Sequence, residues 1–441
     1  MSDNTTNAIT ILGLGPGDPG LLTREAWQAL LQADEVHLRT EQHPAVAGFP
    51  GHLVVHSFDH LYVANDDFNA VYQAIAAEVV ALGRRPQGVV YAVPGDPSVG
   101  ETTTQLIRWQ AESADLPVRI ISGMSFLEPV CRALEIDSLD RDGLQLLDAM
   151  VVATSHAPPF DPSRPALLAQ CYSRPLASDV KLTLLHSFDP RHVVFVVQAA
   201  GTADEKLWEM PLFQLDRRPN FDHLTSVYLP PAGPCASYGR LQEIVARLRA
   251  PDGCPWDREQ TLQSLRQDLL EETYELLEAL DRDDDGELLE ELGDTTLMIA
   301  MLAQIASEEE RFRWPEVMTH INEKLIRRHP HVFGDEKVAG TEDVLATWAR
   351  IKSEERSAAN GGKASSPLES VPTALPALSL ASKYQSRLAR AGMDLTLPDG
   401  EPIAVELWQI VVRGREVGID AETVLREFCQ AVAGGVDASM L

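Results

Sequence analysis

The chain has 441 residues, 44% of them hydrophobic and 23% charged, which are the proportions of a folded globular protein with too much chain for one ordinary core; two or three domains are expected. Its 66 Asp and Glu against 37 Lys and Arg give a formal net charge of -29, which repels a polyphosphate backbone and excludes long nucleic acid, while single nucleotides stay reachable through a bridging divalent cation. The opening MSDNTTNAIT has no basic-then-apolar leader, no window approaches about 18 apolar residues, and the five cysteines (Cys131, Cys171, Cys235, Cys254, Cys429) form no CxxC, so a cytoplasmic protein with reduced thiols and no membrane contact is predicted.

From residue 8 to about 230, runs of strand length (AITILGLG, EVHLRT, GVVYAVPG, VRIISG, LTLLHS, HVVFVVQ) alternate with helical stretches such as LLTREAWQALLQA and NAVYQAIAAEVVALG. That βαβ rhythm predicts an α/β domain over 1–232 with a largely parallel sheet. The proline- and glycine-rich VYLPPAGPCASYG then ends the strand signals. Apolar residues at three- and four-residue spacing in YGRLQEIVARLRA, QTLQSLRQDLLEETYELLEALD, GELLEELGDTTLMIAMLAQIASEEE and WPEVMTHINEKLIRRH predict an all-α domain over 233–356. The Ser-, Ala-, Gly- and Pro-rich stretch 357–377 reads as a flexible linker, and a short helical tail occupies 378–441.

In ILGLGPGDPGLLT a glycine loop follows a strand and opens a helix. Gly15, Gly17 and Gly20 satisfy GxGxxG, but Pro16 and Pro19 each remove a backbone N–H that a dinucleotide phosphate needs. Asp34 and Glu35 also precede the next strand rather than ending it, which disfavours a nicotinamide dinucleotide. A tight strand-to-helix turn with no ligand is the plain alternative.

The ordered motifs GLGPGDPGLLT, RTEQHPAV, SFDHLY and AVPGDPSVGETT resemble the tetrapyrrole methylase family over about residues 8–230. The resemblance implies an S-adenosylmethionine cofactor, which has a sulfonium and an adenosine but no phosphate, lined by Gly13, Gly15, Pro16, Gly17, Asp18, Gly95 and Asp96. After GDP the family has an aromatic, a glycine and a basic residue; this chain has Ser98, Val99, Gly100 and Glu101, and Ser122 stands where a proline is usual. Methyl transfer by this domain therefore stays open.

Residues 271–294, EETYELLEALDRDDDGELLEELGD, are half Asp and Glu. Glu272 and Glu275 are three apart, as are Glu291 and Asp294, so on helices each pair shares a face. The intervening DRDDDG supplies a turn in which Gly286 is free to take positive φ, and two antiparallel helices would bring the pairs together. Four facing carboxylates require a cation; with no His or Cys in the block, Mg²⁺ or Mn²⁺ fits better than zinc, and two solvated acidic faces are the alternative.

LRAPDGCPWDREQTLQSLRQDLLEETYELLEAL, EELGDTTL and EKLIRRHPHVFGD closely resemble the MazG family from about residue 240 to 356. The resemblance implies hydrolysis of a nucleoside triphosphate to monophosphate and pyrophosphate. It assigns the metal to Glu272, Glu275, Glu291 and Asp294, with Glu271 as an outer-shell or water-positioning base. Lys324, Arg327 and Arg328 would meet the triphosphate, and Trp348 and Lys352, four apart, the base and a phosphate; surface charge and core packing are the respective alternatives. CPWD is read as structural. The tail resembles the ends of a second MazG repeat, but TLPDGEPIAV stands where its carboxylate pairs belong, so no second metal site is expected. MazG-like helices pair with another subunit, which implies a homodimer or higher oligomer. The alternative function is an S-adenosylmethionine-dependent methyltransferase with a regulatory or dimerising helical module.

Overall fold

The computed structural model describes residues 8–65, 67–218, 220–359, 366–369, 371–393 and 400–434. Two compact units divide the chain, Met1–Arg311 and Phe312–Leu441.

The first unit opens with a five-stranded sheet. Its strands are β1 (Ile9–Gly13), β2 (Glu35–Leu38), β3 (Val54–Ser57), β4 (Val89–Val93) and β5 (Val118–Ile121), in the order β3-β2-β4-β1-β5. Every pairing is parallel. Between them run α1 (Arg24–Gln32), α2 (Asp59–Ala64), α3 (Phe68–Gly83) and α4 (Thr102–Ser113). A parallel sheet must be covered on both faces, and alternate residues go to opposite sides. Ile9, Ile11, Val89, Tyr91 and Val93 pack with Val71, Ile75 and Val79 of α3 and Ile107 of α4, whereas Leu12, Val36, Leu38, Ala92 and Ile121 pack with Ala26 and Leu30 of α1. Local signals agree: Thr23 caps α1 by accepting from the Ala26 N–H at 3.1 Å.

After α5 (Leu127–Leu134), a second sheet forms from β6 (Gln145–Asp148), β7 (Ala166–Ala169), β8 (Val193–Gln198), β9 (Lys206–Pro211) and β10 (Thr225–Leu229). Its order is β6-β7-β10-β8-β9, and only β6 with β7 is parallel. Helices α6 (Ala149–Ala153) and α7 (Arg174–Leu184) lie in this region. The run LTLLHS, expected as a strand, is instead the end of α7 and the turn after it. Ser173 caps that helix, and Leu176, Ala177, Val180 and Leu184 form a buried face at helical spacing, so a six-residue apolar run was too short to show its period.

The first unit continues as helices α8 (Tyr238–Arg249), α9 (Pro255–Glu259), α10 (Leu265–Arg282) and α11 (Asp285–Glu308). Val245, Leu265, Met298, Met301 and Ile305 are the core of this part. The CPWD stretch folds back under α8: the Cys254 N–H donates to the Leu248 carbonyl at 2.7 Å, and the buried Arg249 guanidinium donates to the Gln260 carbonyl at 3.2 Å and pairs with Glu308 at 2.7 Å. The turn between α10 and α11 does not use Gly286. Asp283 takes the left-handed conformation (φ 54°), and Gly286 lies in the first turn of α11, its N–H donating to the Asp284 carboxylate at 2.8 Å. Aspartate tolerates left-handed backbone and also caps a helix, so the acidic run supplies its own turn.

The second unit holds α12 (Trp314–Arg328), α13 (Pro330–Phe333), α14 (Thr341–Ala359), α15 (Ala377–Arg390), α16 (Pro402–Glu416) and α17 (Ala421–Gly434). Helix α14 runs into the stretch read as a linker as far as Ala359. Residues 360–365 and 370 of that linker lie outside the described residues, as do 394–399, which include the first four residues of TLPDGEPIAV. In the tail, Gln385 on α15 donates to the Trp408 carbonyl of α16 at 2.9 Å.

Candidate functional site

Two places in the first unit concentrate functional side chains. On the α10–α11 hairpin, carboxylate oxygens of Glu272, Glu275 and Glu291 lie within 4.8 Å of one another. Asp294, one turn beyond Glu291, is near enough to act on Glu272 and Glu291, and Glu271 acts on Glu272. Burial, then the charges of Asp294 and Glu275, push the Glu272 carboxyl above its ordinary range; burial, Glu275 and Asp294 do the same to Glu291. One Glu291 oxygen is shielded from water and has no hydrogen-bond partner, and the same holds for the Thr295 hydroxyl one turn further along α11. An orphaned carboxylate oxygen amid like charges fits a hard divalent cation held by oxygens.

The second place is a cavity of about 450 Å³ at the carboxyl ends of β1 and β4. Gly15, Pro16, Gly95 and Asp96 line it, whereas Gly13, Gly17 and Asp18 are not among its lining residues. Gly13 lies where a Cβ would come within 2.5 Å of the Gly123 nitrogen and 2.6 Å of the Gly95 carbonyl oxygen, so its glycine serves the close approach of three loops. Gly17 faces Thr202, and Asp18 accepts from the Gly20 N–H at 2.7 Å. Gly15 and Gly95 exchange backbone hydrogen bonds at 3.1 and 2.8 Å. A side chain on Gly95 would project into open space, so its absence leaves bare backbone against the cavity. Asp96 accepts from the Gly123 N–H at 3.0 Å and the Ser98 N–H at 2.8 Å, which commits both its oxygens to holding loops.

Sequence reasoning did not single out the polar wall of this cavity. Arg39 Nη1 donates to Glu101 at 2.5 Å, its Nε donates to the Tyr62 hydroxyl at 3.1 Å, and its guanidinium lies 5.8 Å from the Tyr72 ring centre. The Glu101 side chain is only 2% exposed, and its other oxygen accepts from the Thr103 hydroxyl at 2.5 Å. Arg39 and Tyr62 sit inside the quoted stretches RTEQHPAV and SFDHLY, but only the fold shows that Glu101 answers Arg39 across 62 positions. His43, also lining the cavity, donates from Nε2 to the Gly15 carbonyl at 3.1 Å; burial pushes it down to about 4, so the ring is neutral and its buried Nδ1 has no partner.

The remaining predicted residues belong to the second unit. Glu355 on α14 pairs with both Arg327 at 2.7 Å and Arg328 at 2.6 Å, and these two partners hold its carboxyl down to about 2. Lys324 is half-buried on α12, and Lys352 is exposed on α14. Trp348 meets His329 edge-on with ring centres 5.0 Å apart, and its buried indole N–H has no hydrogen-bond partner.

An α/β domain with a glycine-lined cavity, followed by a helical hairpin with converging carboxylates, defines a two-part class: a methylase-type domain joined to a nucleotide pyrophosphohydrolase domain. The family model of tetrapyrrole (corrin/porphyrin) methylases matches residues 8–216, and that of the MazG nucleotide pyrophosphohydrolase domain matches residues 260–333. The chain belongs to the family of proteins that carry these two domains in tandem. It is 41% identical over 382 residues to the uncharacterized protein YabN of Bacillus subtilis, spanning 86% of this chain and 76% of that one. It is also 42% identical over 185 residues to the nucleoside triphosphate pyrophosphohydrolase of Escherichia coli, 41% of this chain and 69% of that one. A pyrophosphohydrolase/pyrophosphatase MazG of Thermotoga maritima is 42% identical over 175 residues, 39% of this chain and 66% of that one.

Two predictions come from these geometries. Arg39→Met leaves Glu101 buried and uncompensated and should destabilise the chain by about 3–5 kcal/mol in urea unfolding, with most of the loss recovered when Glu101→Met is added; a double variant no better than the single would refute the coupling. For the hairpin, the folded protein binds protons at Glu272 and Glu291 more tightly than the unfolded chain does. Their charge repulsion is therefore absent at low pH and develops as pH rises through the raised values. The gain in Tm from Glu272→Gln, measured without metal, should grow from about pH 4 to about pH 7, and added Mg²⁺ should stabilise wild type more than the variant. A pH-independent difference would show that the carboxylates do not interact.

Proposed function

We propose that this chain is a nucleoside triphosphate pyrophosphohydrolase that produces a nucleoside monophosphate and pyrophosphate, removing surplus or aberrant triphosphates from the cytoplasmic pool. The observation that carries the reading is the convergence of Glu272, Glu275 and Glu291 around an orphaned Glu291 oxygen. These three and Asp294 hold a divalent cation, Mg²⁺ or Mn²⁺, through carboxylate oxygens. Such an ion neutralises phosphate charge and acidifies water. Glu271, exposed beside Glu272, positions the attacking water and takes its proton. Water oxygen bonds to the α-phosphorus as the bond to the bridging oxygen breaks, and pyrophosphate leaves. Within the second unit, the family resemblance makes Lys324, Arg327 and Arg328 the candidates for triphosphate counter-charge and Trp348 and Lys352 those for the base and a phosphate; Glu355 holds the two arginines in a fixed fork.

The decisive experiment measures pyrophosphate release from a panel of nucleoside triphosphates with Mg²⁺. Glu272→Gln and Asp294→Asn should each lower kcat by about 100-fold or more, the upper end of what outer-shell changes cost at metal sites. Arg328→Ala should act mainly on KM. Turnover that survives both carboxylate variants would sink the assignment.

The glycine-lined cavity supports a second ligand, S-adenosylmethionine, whose sulfonium and adenosine need no phosphate cradle; its volume is ordinary for a small-molecule site. Calorimetric titration should show binding that Gly95→Val abolishes, because the side chain would enter the cavity. A methyltransferase with a regulatory helical module becomes the better reading if a methylated product forms and pyrophosphate does not.

The α10–α11 hairpin also leaves Leu280, Leu289 and Leu292 54, 77 and 50% exposed, which supports assembly with a second copy of the chain. Light scattering should report a dimer or larger, shifted toward monomer by Leu289→Glu with Leu292→Glu; a wild-type monomer at micromolar concentration would contradict it.

A further inference from the structure

Strands β2 and β3 carry a cluster that neither proposed activity uses. In their parallel register His37 stands directly opposite His56, and Glu35 lies two residues before His37, so all three side chains leave the same face of the sheet. One ligating atom from each, two imidazole nitrogens and a carboxylate oxygen, lies within 4.8 Å of the others. The His56 Nε2 is 3.4 Å and the His37 Nε2 3.9 Å from Glu35 oxygens. His37 is 9% exposed, and its Nε2 is shielded from water with no hydrogen-bond partner. A buried polar nitrogen left unpaired costs free energy, and this one has ligating atoms of Glu35 and His56 close by.

We propose that Glu35, His37 and His56 form a binding site for a zinc-class divalent cation, distinct from the oxygen-only carboxylate group of the helical hairpin. Two imidazoles and one carboxylate are a donor set suited to Zn²⁺ and poorly suited to Mg²⁺. Arg85 lies 2.5 Å from Glu35 Oε1 and leaves Oε2, the oxygen nearer His56, for the ion. That arrangement resembles the second-shell support that orients metal-binding carboxylates. The imidazole rings are stacked, 4.7 Å apart and 19° from parallel, so loading requires them to tilt toward a common point. His56 is on the edge strand with its side chain 45% exposed and has room to turn, while buried Phe58 backs His37 with ring centres 6.0 Å apart. Three protein ligands leave the solvent side of the ion open for water or an exogenous ligand.

Cupric ion bound to the full, tag-free chain is the test, because its electron paramagnetic resonance reports nitrogen ligands and a carboxylate-only site supplies none. The wild type should show coupling to two imidazole nitrogens. His56→Ala, an exposed position whose folding is checked by circular dichroism, should lose one of them and weaken Zn²⁺ binding by about 10-fold or more in competition with a chromophoric chelator. Glu272→Gln should leave the spectrum unchanged. A wild-type spectrum without two-nitrogen coupling, or one unaffected by His56→Ala, overturns the proposal.

Discussion

Like charges held together by a hairpin are the constraint on which the rest of this protein turns. The α10–α11 pair brings Glu272, Glu275 and Glu291 within 4.8 Å, an arrangement that carboxylates alone oppose. Apolar packing of Leu265 on α10 against Met298 and Met301 on α11 fixes the register, while left-handed Asp283 and the Asp284 cap close the turn. The fold thus uses core packing to hold like charges together, an electrostatic imbalance that a divalent cation would relieve.

The N-terminal cavity solves the opposite problem. Its buried acid, Glu101, is matched by Arg39 and by the Thr103 hydroxyl, while Asp59 and Asp96 add two further carboxylates to the lining. Glycines 13 and 123 let three loop backbones approach more closely than any side chain permits, and Asp96 ties two of those loops. Bare glycine backbone, the Tyr62 and Tyr72 rings and hydrogen-bonding side chains line this pocket, whereas the hairpin presents carboxylates alone. The family contains both domains in one chain.

Much of this was legible from periodicity. The three- and four-residue spacing of apolar residues marked α8, α10, α11 and α12, and the paired carboxylates announced themselves because the helical repeat places residues three apart on one face. LTLLHS failed as a strand because so short an apolar run carries no period of its own, and Ser173 with Val180 and Leu184 made it helix. Gly286 was the obvious turn residue, yet Asp283 turns and the Gly286 N–H donates to the capping Asp284 carboxylate. Arg327 and Arg328 read as counter-charges for a triphosphate, and the fold also sets Glu355 beside them, 28 and 27 positions away.

The sequence by itself determined the two-part architecture, the helical hairpin and its acidic faces, since these depend on composition and on contacts within a few turns of helix. Only the tertiary structure decided which charges are compensated. Arg39 with Glu101, Arg328 with Glu355, and the meeting of Glu35, His37 and His56 across neighbouring strands arise from chain segments that approach through sheet register and core packing. Coulomb and ligand-field interactions depend on those distances, and distance in space is not written in distance along the chain.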